Sequence, residues 1–462
     1  MITNKRTIGD THSKEFVLDC IEAGITAAHP KQIVEDTISV EDRILFVEDH
    51  EYQLDEYDNV VVVGAGNAAG RISQAIESVL GDTLTSGAIV TDDPVECEII
   101  EMYRGTHPLP SRACVNGVNC IQSLLDDSHG QTLVIAVSAG GGSALLSLPH
   151  RGIGFDELRA VTESLLHSGA PIDEINVVRK HLSQVKGGQL AAAAYPATVV
   201  NLVLCDVVGD DIGTVASGPF APDSSSFDDA LEIIGRYDIP VPPSVHTVLE
   251  QGELGALKET PCQSNDVFER VHHHVIGSGE TALHAARKMA TERGITAEIL
   301  SSQVEGEASE AAKFHLSVAN EVIQSKEPFQ PPVVILSGGE TTVTIEDSGN
   351  GGPNQEFCLS AAIHLNNPDI TVGAVDTDGI DGNADVAGAI IDSATVGPDD
   401  LPSAREHLQK HESTGYLASK NATVKTGPTG TNVNDLRVIY IQDTAGDSPS
   451  VNSAHSRKPK SE

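Results

Sequence analysis

Three polar segments carry residue types suited to holding anions and moving phosphate. The first is Ser138-Ala139-Gly140-Gly141-Gly142-Ser143, which follows the apolar run 132–137. Consecutive glycines let a backbone come close to a ligand, so this loop can bind an anion or a carboxylate; its plainer use is a helix cap at Ser143. The second holds Arg179, Lys180 and Lys186. Guanidinium and ammonium groups in one place can grip a carboxylate or phosphates, unless each pairs with a local acid on the surface. The third is a set of carboxylates after apolar runs: Asp206, Asp210 and Asp211, then Asp376, Asp378 and Asp381. Magnesium takes one or two carboxylates and fills its shell with phosphate oxygens and water. The same groups could serve as a general base, and in so acidic a chain any one of them can be plain solvated surface.

Further loops have two readings each. Gly64-Ala65-Gly66-Asn67-Ala68-Ala69-Gly70 fits a relaxed dinucleotide fingerprint, an anion loop at a helix start, or a tight structural turn. The acidic partner that a dinucleotide needs comes late, at Asp92 and Asp93. Ser337–Thr342 and Gly349–Glu356 look like two arms of a nucleotide site, or like a hairpin with its turn at 348–353. His272, His273 and His274 alternate faces if they lie in a strand, which leaves too few on one side for a metal site. The chain has no G-K-[ST] phosphate loop and no G-x-S-x-G elbow.

These loops need a scaffold to converge. Apolar runs at 59–63, 132–137, 199–205, 333–336 and 370–375 each lead into a loop rich in glycine, serine or aspartate and alternate with helical patterns. That grammar predicts buried parallel strands. Residues 13–80 otherwise read as mostly helical. The expected architecture is α/β, with two domains, each a largely parallel sheet flanked by helices, and a cleft between them. The expected division is 1–255, 256–443 and a polar, aperiodic, disordered tail at 444–462.

Composition narrows the setting. The 462 residues include 67 Asp plus Glu against 29 Lys plus Arg, a net charge of -38. Such self-repulsion is relieved when salt shortens the Debye length to about 3 Å at molar strength. The excess therefore reads as adaptation to a salt-rich cytoplasm, and it excludes the basic footprint of nucleic-acid binding. Seven cysteines without a C-x-x-C pair suggest reduced thiols. No apolar stretch predicts a membrane span.

Taken in order, these blocks resemble the glycerate 2-kinase family that carries a MOFRL domain. The resemblance covers about residues 15–440. It rests on Thr106–Pro110, Ser138–Ser143, Asn176–Gly188, Asp206–Asp211, Ser217-Gly218-Pro219, Gly338–Glu340, Asn354–Glu356, Thr377–Gly382 and Thr426–Asp435. It implies a Rossmann-like first domain, a MOFRL α/β sandwich, and Mg²⁺- and ATP-dependent phosphorylation of D-glycerate at its 2-hydroxyl. Arg179, Lys186 and Asp206 would be catalytic. Asn67, Ser138, Gly140, Gly141, Gly142 and Ser143 would bind substrate. Gly338, Gly339, Glu340, Asn354 and Asp378 would face the nucleotide, and Asp206 and Asp210 the metal. Asn67 stands where the family usually has lysine, and Pro353 where it usually has arginine. The competing readings are an NAD(P)-dependent hydroxypyruvate reductase and a silent hydroxy-acid-binding relative. A homodimer is an allowed assembly.

Overall fold

The computed structural model describes residues 1–207, 209, 211–344 and 349–443. The tail at 444–462 and the candidate metal ligand Asp210 lie outside the described residues. The first departure from the sequence expectation is a small antiparallel sheet of β1 (Ile38–Glu41), β2 (Ile44–Val47) and β3 (His50–Gln53) within the stretch read as helical. Its strands have four residues each, too few for their alternation to stand out. Its tight turns place Asp42, Arg43 and Glu48 at positive φ.

The first large sheet contains β4 (Asn59–Ala65), β5 (Ser86–Thr91), β6 (Ile100–Arg104), β7 (Thr132–Ala139), β8 (Thr198–Leu204) and β9 (Val271–Gly277). Its spatial order is β6-β5-β4-β7-β8-β9, and every pair is parallel. This is the doubly wound order of dinucleotide-binding sheets, in which the strand order reverses between β4 and β7 and opens a crevice at their carboxyl ends. β7 and β8 are buried along their whole length, as strands covered on both faces must be.

The second sheet corrects the expectation of two largely parallel sheets. It contains β10 (Thr296–Val304), β11 (Val333–Gly339), β12 (Ile370–Asp376), β13 (Gly388–Asp392), β14 (Thr423–Val424) and β15 (Asp435–Ile441). In the order β10-β11-β15-β12-β13-β14, only β10 and β11 run parallel. A helix, Ala308–Ser325, joins that pair, and a parallel pair requires such a crossover. β15 instead enters after the loop 426–434 and runs backward between β11 and β12. Its first residue, Asp435, therefore lies beside Asp376 at the end of β12.

The chain also crosses between the sheets. β9 completes the first sheet beyond the expected boundary at 255. The helix His12–Ala27 packs on the second sheet, with Gly24 against Leu436 and with Val17 and Ile21 against Gly373. One core joins the facing sides of both sheets, including Val62, Ile135, Leu283, Leu336 and Val438. Of the separate helical unit formed by Phe155–Leu166, Ile172–His181, Phe227–Arg236 and Pro243–Glu253, the sequence shows a helix at 155–168 but not the grouping. The unit has its own core around Val161, Val178, Phe227, Ile233 and Leu249.

Candidate functional site

The loop Ser138–Ser143 sits at the reversal point of the first sheet, clamped from two sides. A methyl group at Gly140 would stand 2.0 Å from Asp206 Oδ2, and one at Gly141 would stand 2.0 Å from Asn67 Oδ1. A side chain at either place would have to displace these groups, and Gly141 also takes φ +74°. Gly142 is pressed against Ala216, whose Cβ would lie 2.5 Å from an added methyl group. Gly140→Ala should push the Asp206 carboxylate aside and lower kcat about a hundredfold, since displacing a reacting group by about 1 Å costs that much. Steady-state turnover, with circular dichroism to confirm the fold, checks this.

Ser138 is not placed to touch a ligand. Its hydroxyl is buried and donates to Asn201 Oδ1 (2.9 Å), and the Asn201 amide nitrogen meets His273 Nδ1 (3.1 Å). Ser138 thus anchors the loop. At the other end, the Ser143 hydroxyl bonds to that of Ser217 (2.7 Å). Lys186, only 4% exposed, donates to the main-chain oxygens of Ser143 and Leu146, both at 2.7 Å. Its ammonium fixes the loop's exit, a more structural task than the sequence suggested. Burial and the nearby Arg179 charge lower its pKa to about 7.

Arg179 lies in the last turn of Ile172–His181. It is buried, and it has no hydrogen-bond or ion-pair partner among the described residues. Burial lowers its pKa to about 10. Lys180, its neighbour, pairs instead with Asp223 (3.1 Å). A guanidinium left without an anion in a half-closed place is suited to receiving one. His107 lies within its field, and burial followed by the Arg179 charge lowers that imidazole's pKa, with Asp92 opposing.

Asp206 follows β8, and burial pushes its pKa up to about 6. Its main-chain oxygen accepts from Asn434 Nδ2 (2.6 Å). Asn434 accepts in turn from the main chain (3.1 Å) and hydroxyl (2.8 Å) of Thr377. That residue therefore clasps the two sheets at the cleft. From the second sheet, Glu340 reaches the same place. Desolvation, then the charges of Asp435, Asp206 and Glu305, push its pKa up to about 7. Asp378 and Asp376 stand at the end of β12 with their pKa values also raised, chiefly by desolvation. Among the described residues, no cluster of three or more His, Cys, Asp or Glu could hold a metal ion through protein ligands alone.

The remaining expected nucleotide residues divide between wall and support. Gly339 takes φ +104°, and a side chain there would strike the Val304 backbone (2.3 Å). The Gly338 carbonyl accepts from Arg437 (3.2 Å). Asn354 is fully buried, so it does not face a ligand; its amide nitrogen bonds to Asp381 Oδ1 (3.2 Å) and Asp435 Oδ1 (2.5 Å). Pro353 begins the helix Pro353–His364, a position that suits its fixed φ; the alternative hairpin reading falls partly on residues 345–348, outside the described residues. Sequence reasoning missed Arg437, which is fully buried, pairs with Asp435, and donates to Thr341 Oγ1 (2.8 Å). A lone arginine in an apolar strand (Asp435–Ile441) was the available signal. Arg71 pairs with Asp93 (2.7 Å) and packs on Gly430.

Residues 16–250 match the family model described as "Domain of unknown function (DUF4147)", and residues 333–435 match the MOFRL family. A D-glycerate 2-kinase of Thermotoga maritima is 36% identical over 440 residues, covering 93% of this chain and 98% of its own. An Agrobacterium vitis protein provisionally named a hydroxypyruvate reductase is 40% identical over 82% of this chain and 99% of its own. The crystal structure of a Thermotoga maritima glycerate kinase superposes with TM-score 0.81 at 35% identity, covering 92% of this chain and 99% of that one. The similarity runs over more than nine-tenths of the chain, and the chain belongs to the glycerate 2-kinase family.

Proposed function

We propose that this protein transfers the γ-phosphoryl group of ATP to the 2-hydroxyl of D-glycerate, giving 2-phosphoglycerate and ADP. The observation that carries the reading is the setting of the glycine loop. Buried cations, Arg179 and Lys186, flank one side, and the carboxylates Asp206 and Glu340 face the other. Phosphoryl transfer asks mainly for positioning and charge balance, and the two sides supply both. Arg179 takes the substrate carboxylate or the transferring phosphoryl group. The amides of Gly140–Ser143 line the path of the phosphoryl group, and Asp206 accepts the hydroxyl proton as the new bond forms. Gly338, Gly339, Glu340 and Asp378 line the nucleotide side, with Asn354 supporting them from beneath.

The donor set also fits magnesium. The Asp206 charge helps to raise the Glu340 pKa, and hard oxygen donors with that excess charge suit a hard cation. Asp206, with Glu340, would hold the metal, which when bound neutralises charge on the phosphates. The setting we infer is a salt-rich cytoplasm; among the described residues no helix is long and apolar enough to cross a membrane.

The reductase reading is weakened at the first glycine loop. There the Gly66 and Asn67 amides donate to Val90 (3.2 Å) and Gly140 (2.8 Å) carbonyls, so they are not open to a pyrophosphate. β5 ends in Thr91, and Asp93 beyond it is paired with Arg71. Two assays on purified protein in molar KCl separate the readings. ADP release that depends on D-glycerate supports the kinase. Oxidation of NAD(P)H by hydroxypyruvate, without ADP release, would replace it with the reductase.

A further inference from the structure

Ser217 occupies a crossing that the proposed chemistry does not use. It is fully buried, and its hydroxyl donates to Asn176 Oδ1 (2.9 Å). Its single proton is thereby spent, so in the 2.7 Å contact with Ser143 it is the Ser143 hydroxyl that donates. Asn176 is itself buried, and it stands one helical turn before Arg179 in Ile172–His181. Two hydrogen bonds therefore run from the glycine loop, through Ser217, to the helix that presents the Arg179 guanidinium. The Ser217 carbonyl accepts from the Gly187 amide (3.0 Å), next to Lys186, which holds the same loop from below.

The backbone at this crossing is held against its preference. Ala216 has φ 53° and Ser217 φ 61°, consecutive non-glycine residues in the left-handed region. Both are disfavoured for residues with a Cβ, and such strain persists where the surroundings enforce it. Glycine would sit at position 217 more comfortably, yet it could not bridge Ser143 to Asn176. The helical unit bearing Arg179 has a core of its own, so its placement over the loop depends on ties of this kind.

We propose that Ser217 is a positioning residue, whose hydroxyl couples the Asn176–Arg179 turn to the Gly140–Ser143 loop so that cation and loop meet the substrate in one register. The inference rests on reading the cleft as the substrate site, but its test does not depend on which substrate turns over. Ser217→Gly removes the hydroxyl and relieves the strain, so the melting temperature should hold or rise. Hydrogen exchange should nevertheless quicken at 140–146 and at 176–182. With ATP and D-glycerate, kcat should fall about tenfold or more, with KM for glycerate rising less. Ser217→Ala, which keeps the strain, should lose the same activity at a lower melting temperature. Because both act through one relay, adding Asn176→Ala to Ser217→Gly should cost little more, where independent sites would multiply.

Unchanged exchange in both segments with unchanged kcat would overturn the inference, as would a full multiplicative loss in the double variant. A melting temperature that falls in step with activity in Ser217→Gly would assign the residue a merely structural role. If wild-type protein fails to phosphorylate glycerate, the substrate reading fails, and the exchange measurement still decides the coupling.

Discussion

Replacing Asp206 by asparagine is expected to lower kcat about a hundredfold or more while making the metal-free protein more stable. The loss follows from its position beside Gly140, where a proton acceptor or metal-bound carboxylate would act; removing a general base typically costs about 10²–10⁴-fold. The gain follows from its pKa. Burial raises it from 3.8 to about 6, so the folded state binds this proton more tightly than the unfolded chain does. Stability from this group is therefore greatest at low pH and is lost as pH rises from about 4 to 6. Above that window wild type carries a penalty on the order of 2 kcal/mol, allowing for partial exposure. Asparagine does not ionise, so the variant should melt a few degrees higher than wild type at pH 8. The two should converge near pH 4. Thermal melts across pH in a chelator-containing, high-salt buffer check this; a variant that melts lower at every pH would contradict it.

Arg179→Met should be nearly as damaging to turnover and similarly mild to the fold. An arginine that is buried, desolvated and without an ion-pair partner among the described residues does not stabilise the apo protein. Replacing such a group with an apolar side chain of similar length is often neutral or favourable. Turnover should suffer, because preorganised charge aimed at a reacting anion contributes about 2.7–4 kcal/mol, a hundred- to a thousandfold in rate. Arg179→Lys should recover only part of this, since an ammonium does not reproduce the planar, bidentate fork. kcat/KM for both variants, with melting curves alongside, decides it: wild-type rates in Arg179→Met would remove the residue from the site.

Both expectations follow from the physics of placement, which the sequence showed unevenly. The first sheet was legible because β4, β7 and β8 are continuous apolar runs punctuated by glycine and aspartate. Their loops converge because a doubly wound sheet gathers its carboxyl ends. The second sheet was misread in its direction. Strand periodicity is the same for parallel and antiparallel neighbours, and β15 acquires its place only when the 426–434 loop carries the chain back to Asp435. The helical unit around Val161 and Phe227 was hidden because amphipathic helices do not announce which core they share.

Residue roles shifted for a related reason. Ser138, Lys186 and Asn354 have the types expected at a ligand, yet each is spent on protein partners: Asn201, two main-chain carbonyls, and a pair of aspartates. Hydrogen-bond partners far apart in sequence cannot be read from spacing. Arg437 went unremarked, and Ser217 stood only as part of a block that carries the family resemblance, because their importance lies in such long-range pairings. Asp206 and Arg179 kept their places in the proposal: a carboxylate after β8 and a cation ending a helix are positioned by local elements alone.

The central proposal, phosphorylation of D-glycerate at its 2-hydroxyl, is tested most directly by phosphorus NMR of the product. Purified protein, ATP, Mg²⁺ and D-glycerate in molar KCl should yield the resonance of 2-phosphoglycerate, growing as ATP is consumed. A 3-phosphoglycerate signal, or no phosphorylated product from protein shown to be folded in that salt, would contradict it.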